Sequence, residues 1–204
     1  MKQIFVAVVS LLYVNVMVAQ LALGDFNTKF LEANQLMEEK QWNQSIDIWQ
    51  ELFASNSQNA NVNYKLGYCF LQTPTKKLKA MPYLQFAANQ SISPNYDPYD
   101  PKEELAPVEA RYYLGRVFHL NYEMDKAITE YNKLLEVLPE KHQLYAQTLH
   151  QIEMCNNAKY QVAHPEGYLI SNVGPVINQE TNDFSPVVSI DESAMFFTSR
   201  RMRA

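Results

Sequence analysis

The sequence predicts an all-α solenoid of about three helix pairs plus a capping helix, followed by a short C-terminal β segment. Three observations carry this. One set of small and apolar positions recurs three times between residues 26 and 141. Helical periodicity continues to about residue 160 and then stops. Only five glycines stand in 204 residues, well under the usual ~7%. So few glycines leave no Gly-rich phosphate cradle, which disfavours nucleotide enzymes and long β-barrels. An apolar fraction of 47% with 19% charged residues marks a chain that builds a core. The net charge of −5 argues against a general nucleic-acid binder, which would carry a basic footprint.

The N-terminus reads as an export leader. Lys2 supplies a cation, Ile4 to Val14 an apolar run, and Ala19-Gln20 a small residue before a polar one. This is the pattern of a secretory signal peptide over residues 1–19. Cleavage fits after Ala19 or after Gly24, so the mature chain begins near Gln20 or Asp25. Asn15 interrupts the run, which falls short of the ~20 apolar residues of a spanning helix. No transmembrane span is expected after cleavage, and no Cys follows the run for lipid attachment. Export would permit a disulfide. Cys69 and Cys155 both fall on helical segments, where small buried thiols are the simpler reading; their pairing stays open.

The repeat has a period of 34 residues, measured from Ala33 to Gly67. Ala33 is followed by Ser45, Trp49 and Leu52 at +12, +16 and +19, and Gly115 by Ala127, Tyr131 and Leu134 at the same offsets. Gly67 is followed by Ala80, Leu84 and Ala87, the same set shifted by one. A small residue on each helix lets two antiparallel helices approach closely, and the later apolar positions share one helical stripe. The segments are repeat 1 over 26–59, repeat 2 over 60–94, a loop over 95–107 and repeat 3 over 108–141. Pro82 suits the start of a helix, and Pro139 closes repeat 3. Residues 142–160, with Leu144, Tyr145, Leu149, Ile152 and Cys155 near helical spacing, form a helix that caps the solenoid end.

Tyr113-Leu114-Gly115-Arg116-Val117-Phe118, Asp125-Lys126-Ala127-Ile128-Thr129-Glu130-Tyr131, Leu134 and Pro139 resemble a tetratricopeptide repeat. Repeat 2 matches through Leu66-Gly67-Tyr68 and Phe70. Repeat 1 departs from it, with Ala33 for Gly, Ser45 for Ala and Ser57 where Pro is usual. The resemblance implies a protein-binding concave face built from the first helices. Asn34, Asn63, Lys65, Arg111, Tyr112 and Arg116 flank the structural positions there and are the candidate peptide-binding surface. Amides and cations of this kind clamp an extended peptide through charge-assisted hydrogen bonds.

The loop repeats Tyr-Asp-Pro, in Tyr96-Asp97-Pro98-Tyr99-Asp100-Pro101. Each proline holds its predecessor extended, so the loop is stiff. It reads as a solvated connector, with Tyr96 and Tyr99 as candidate partner contacts. A cation site on Asp97, Asp100, Glu103 and Glu104 is a further alternative, without the spacing or glycine of a calcium loop.

From Gln161 the texture turns to β, with Tyr168–Ile170 and Val173–Ile177 extended and a hairpin about Asp191-Glu192-Ser193. Asp183-Phe184-Ser185-Pro186-Val187-Val188-Ser189-Ile190-Asp191, then Met195-Phe196-Phe197-Thr198-Ser199-Arg200-Arg201, resemble the opening blade segment of a WD-like, TolB-type β-propeller. The expected Asp-Gly of its turn is here Asp191-Glu192. Because a propeller typically needs four to eight blades, residues 161–204 read as a truncated propeller segment of a longer protein.

An export signal, tetratricopeptide repeats and a propeller start together resemble the N-terminal part of OmpA-family envelope proteins of Gram-negative bacteria. Some of these are associated with type IX secretion and gliding. The resemblance implies a scaffold in the periplasm or at the outer membrane, with protein partners there and no nucleic acid. A structural, peptidoglycan-linked protein whose wall-binding domain is absent is the alternative, and an enzyme a remote one. His119, His142, His150 and His164 form no His-x-x-x-His or Glu-x-x-His pair, and no Cys-x-x-Cys, nucleophile elbow or P-loop occurs. No catalytic residue, metal or cofactor is therefore assigned.

Overall fold

Small residues close each helix pair. In this computed structural model, which describes residues 25–90, 93, 95–165, 167, 171–175, 177 and 183–200, helix α1 covers 25–38 and α2 Trp42–Ser55. The second pair is α3 (Ala60–Gln72) and α4 (Met81–Asn89), the third α5 (Glu109–Leu120) and α6 (Met124–Leu135). A long helix α7 (Gln143–Ala163) packs on α6. The all-α solenoid with a terminal β segment is thus what forms. The predicted export leader lies outside the described residues, as do Tyr168–Ile170 and the terminal Arg201 and Arg203.

At the helix crossings there is no room for larger side chains. A Cβ on Gly115 would lie 2.4 Å from Cε1 of Tyr131, and one on Gly67 would lie 2.7 Å from Cγ of Leu84. Such approaches are far inside van der Waals contact, so only glycine fits. Repeat 1 solves the crossing differently. Its Ser45 hydroxyl donates to the Ala33 carbonyl at 2.9 Å, tying α2 to α1 and explaining the serine at an alanine position.

The turns explain the one-residue shift of repeat 2. In repeats 1 and 3 the seventh residue after the small position, Lys40 or Tyr122, takes a left-handed φ of 58° or 61°. The next amide then reaches back: Gln41 N to Leu36 O at 2.8 Å, and Glu123 N to Phe118 O at 2.9 Å. Both turns are Schellman motifs. The equivalent residue of repeat 2 is Pro74, whose ring fixes φ near −65° and forbids that turn. The chain instead uses a 3₁₀ segment, Lys77–Ala80, before α4, and Pro82 stands in the first turn of α4, where it removes no needed hydrogen bond.

The core runs the length of the stack. Phe30 meets Trp49 edge-on at 5.2 Å, Phe53 meets Tyr83 at 5.2 Å, and Tyr112 leans on Tyr131 at 5.9 Å. At the far end α7 buries Thr148 and Cys155 and packs Leu144, Tyr145 and Ile152 on the core. Cys69 and Cys155 are both free and buried. Burial pushes the Cys69 thiol up to about 12, which keeps it protonated.

The chain divides into two units between Ala163 and His164, so helix persists slightly beyond the predicted change at Gln161. The second unit contains an antiparallel hairpin of β1 (Asp183–Val188) and β2 (Met195–Ser199). Its register slips between Phe184 and Val187, where Ser185 has φ 51°. In the turn, Glu192 takes the left-handed φ of 58° that glycine would otherwise supply. The Asp191 carboxylate accepts from the hydroxyls of Ser189 and Ser193, which hold it down to about 2.

Candidate peptide-binding groove

The first helices present two rows of side chains one turn apart. Immediately after each small residue stand Asn34, Tyr68 and Arg116; two before it stand Leu31, Lys65 and Tyr113. In repeats 1 and 2 these rows meet at a buried polar centre. Lys65, only 3% exposed, donates from Nζ to Asn34 Oδ1 at 2.6 Å and to the Pro98 carbonyl at 2.9 Å. The same ammonium lies 5.3 Å from the Phe30 ring centre and 5.6 Å from that of Trp49, near enough for cation–π attraction. Asn34 is oriented by its own Nδ2, which donates to the Phe30 carbonyl at 3.1 Å. Burial outweighs the nearby acidic groups and lowers the Lys65 pKa to about 8.

Loop 95–107 crosses this centre. It does not stand out in solvent as a connector. Tyr96 donates its hydroxyl to Asn61 Oδ1 at 2.6 Å and sets its ring edge-on to Tyr64 at 6.2 Å. Asn61 Nδ2 in turn donates to the Glu103 carbonyl at 3.1 Å. The amides of Ala60 and Asn61, at the N-terminus of α3, both donate to the Glu104 carbonyl. Tyr99 donates its hydroxyl to Glu38 on α1. An open cleft of about 180 Å³ adjoins the loop, lined by Asn34, Lys65, Tyr68, Tyr96 and Tyr99 among others.

The loop carboxylates are occupied along their own backbone. Asp97 accepts from Tyr99 N, Asp100 from Lys102 N and Glu103 from Leu105 N, each at 2.9 Å. These local turns stiffen the segment, and among the described residues no His/Cys/Asp/Glu cluster could hold a metal ion. The cation reading of Asp97, Asp100, Glu103 and Glu104 therefore finds no geometry to stand on.

Four of the six residues expected to form an open peptide-binding surface, Asn34, Asn63, Lys65 and Tyr112, are buried. Asn34 and Lys65 lie under the loop. Asn63 donates to the carbonyls of Ser57 and Asn59, at 2.9 and 2.8 Å, and so fastens the α2–α3 link. Tyr112 is wedged against Tyr113 and Tyr131. Arg111 is half-buried and spans α5 to α6 through Glu130 at 2.9 Å, where Lys133 also binds. Arg116 is half-buried and lines a recess of about 370 Å³ with His119, Tyr122 and Gln151. The residues that the spacing did not single out are Tyr64, Tyr68 and Tyr113. Tyr68 and Tyr113 meet edge-on at 4.9 Å and carry the groove from repeat 2 to repeat 3. Their signal was available, because Tyr68 and Tyr113 occupy the same two rows as Asn34 and Lys65.

No family model and no curated protein matches this sequence. Among solved structures, the crystal structure of MamA protein superposes with a TM-score of 0.44 at 19% identity, over 72% of this chain and 82% of that one. The fold assignment rests on the helix pairing described above rather than on that likeness.

Proposed function

We propose that this chain is a non-catalytic protein-interaction scaffold whose first-helix face holds a segment of another protein. One observation carries the reading: a stretch of loop already lies across that face, held through its main chain by Lys65 and through Tyr96 by Asn61. The buried Cys69 thiol, kept protonated, is suited to packing and not to attack on a substrate. The leader-like residues 1–19 support export, and with it a place in the periplasm or at the outer membrane. No described helix is long and apolar enough to cross a membrane. The link to OmpA-family envelope proteins and to type IX secretion belongs to the same proposal and rests on motif resemblance.

A displayed peptide library panned against the purified chain tests the scaffold reading. Recovered peptides should lose tenfold or more in affinity on Tyr68→Ala/Tyr113→Ala and be unaffected by Asn132→Ala, an exposed position on α6. Peptides indifferent to the tyrosine pair would place binding elsewhere and reject the groove.

A further inference from the structure

Loop 95–107 touches the groove as a bound peptide would. Its central contact is to a main-chain carbonyl, Pro98 O, taken by Lys65. Its aromatic contact is Tyr96, set edge-on against Tyr64 with its hydroxyl on Asn61. Pro98 and Pro101 have no N–H to satisfy, and each stands second in a β-turn closed by Asp100 N on the Asp97 carbonyl and by Glu103 N on the Asp100 carbonyl. The Asp97 carboxylate is close enough to act on the buried Lys65 ammonium, as is Glu38, which at the rim takes a hydroxyl donor from Tyr99. The fit is incomplete: Asp97, Pro98 and Asp100 are exposed, Tyr99 is 53% exposed, and an open cleft of about 180 Å³ adjoins the loop.

We infer that loop 95–107 is an internal occupant of a peptide site on repeats 1 and 2, and that the site's external ligand is an acidic, turn-forming segment carrying tyrosine and proline. The inference rests on the scaffold reading and adds the ligand's chemistry and its regulation. A tethered occupant competes at an effective concentration in the millimolar range. An external segment must displace it, so measured affinity falls by the fraction of chains in which the groove is open. Shifting the loop would thus switch the scaffold on.

The probe is a labelled peptide with the sequence of residues 95–104, titrated by fluorescence anisotropy into the full chain. A second titration uses a chain in which residues 95–100 are replaced by Gly and Ser at equal length, keeping the Glu103, Glu104 and Ala106 carbonyls in place. Binding should be at least tenfold tighter to the replaced chain and should be lost again when Lys65→Met is added. If circular dichroism shows that replacement to be unfolded, Tyr96→Ser/Tyr99→Ser in the full chain takes its place with the same expectation. Equal affinity for native and loop-altered chains, or no binding to a folded loop-altered chain, overturns the inference. Panning the library against the loop-altered chain separates the two failures: groove-binding peptides without binding of the 95–104 peptide sink only this inference, and neither kind of binding sinks the scaffold reading as well.

Discussion

Lys65 is the residue on which the groove turns, and its environment has a consequence for stability. Its folded pKa, about 8, lies below the unfolded value of about 10.4. Between those values the unfolded chain binds the greater number of protons, so Lys65's contribution to stability rises with pH in that window. The Cys69 and Cys155 thiols pull the other way above their ordinary range. Burial raises both, so the unfolded chain loses its thiol protons first. The difference between the native chain and Lys65→Met removes this background. Urea unfolding should show the native chain gaining about 1 kcal/mol on the variant from pH 8 to pH 9, close to the 1.36 kcal/mol that one pKa unit represents. A difference independent of pH would show that Lys65 is not held in a desolvated site. The burial of this lysine was not legible in the sequence. Spacing placed Lys65 on the exposed side of its helix, correctly for a bare repeat, but could not show that a distant loop returns to cover it.

Among the helices, each element buries its face only against a neighbour, so damage should spread along the stack by adjacency. Helix α7 tests this at one end. It covers the α6 face through Leu144, Thr148, Ile152 and Cys155, positions repeating at helical spacing. Ile152→Asp would set a carboxylate against that apolar face, at a cost of about 2–4 kcal/mol. Hydrogen exchange should quicken in α7 and α6 and stay unchanged in α1 and α2. Uniform quickening would mean that the stack unfolds as one cooperative block. The helix pairs themselves were readable because Ala33, Gly67 and Gly115 must be small for the helices to cross, and that demand fixes residue type at a fixed period. Even the slipped register of repeat 2 was visible in the sequence. Its cause, Pro74 at the position where Lys40 and Tyr122 turn left-handed, needed the backbone angles to be seen.

Over the whole chain, the helical unit and the hairpin unit differ in how far they satisfy themselves. The helical unit buries Phe30, Trp49, Phe70, Tyr112, Phe118 and Tyr131 in one continuous core. The hairpin leaves Phe184, Val187, Ile190 and Phe196 exposed, and an isolated hairpin is marginal in water. Its two strands and their turn were legible from the β-rich runs on either side of Asp191-Glu192-Ser193, whereas the resemblance to a propeller blade concerns more strands than two. In the helical unit, the proposed occupant of the first-helix face of repeats 1 and 2 is an acidic, turn-forming segment. The most direct measurement is photo-cross-linking of the residue 95–104 peptide, with a benzophenone at the Tyr99 position, to the loop-replaced chain, followed by mass spectrometry. Adducts on α1 and α3, around Glu38, Tyr64 and Tyr68, are the predicted result. Adducts concentrated on α2, α4, α6 or the hairpin would contradict it.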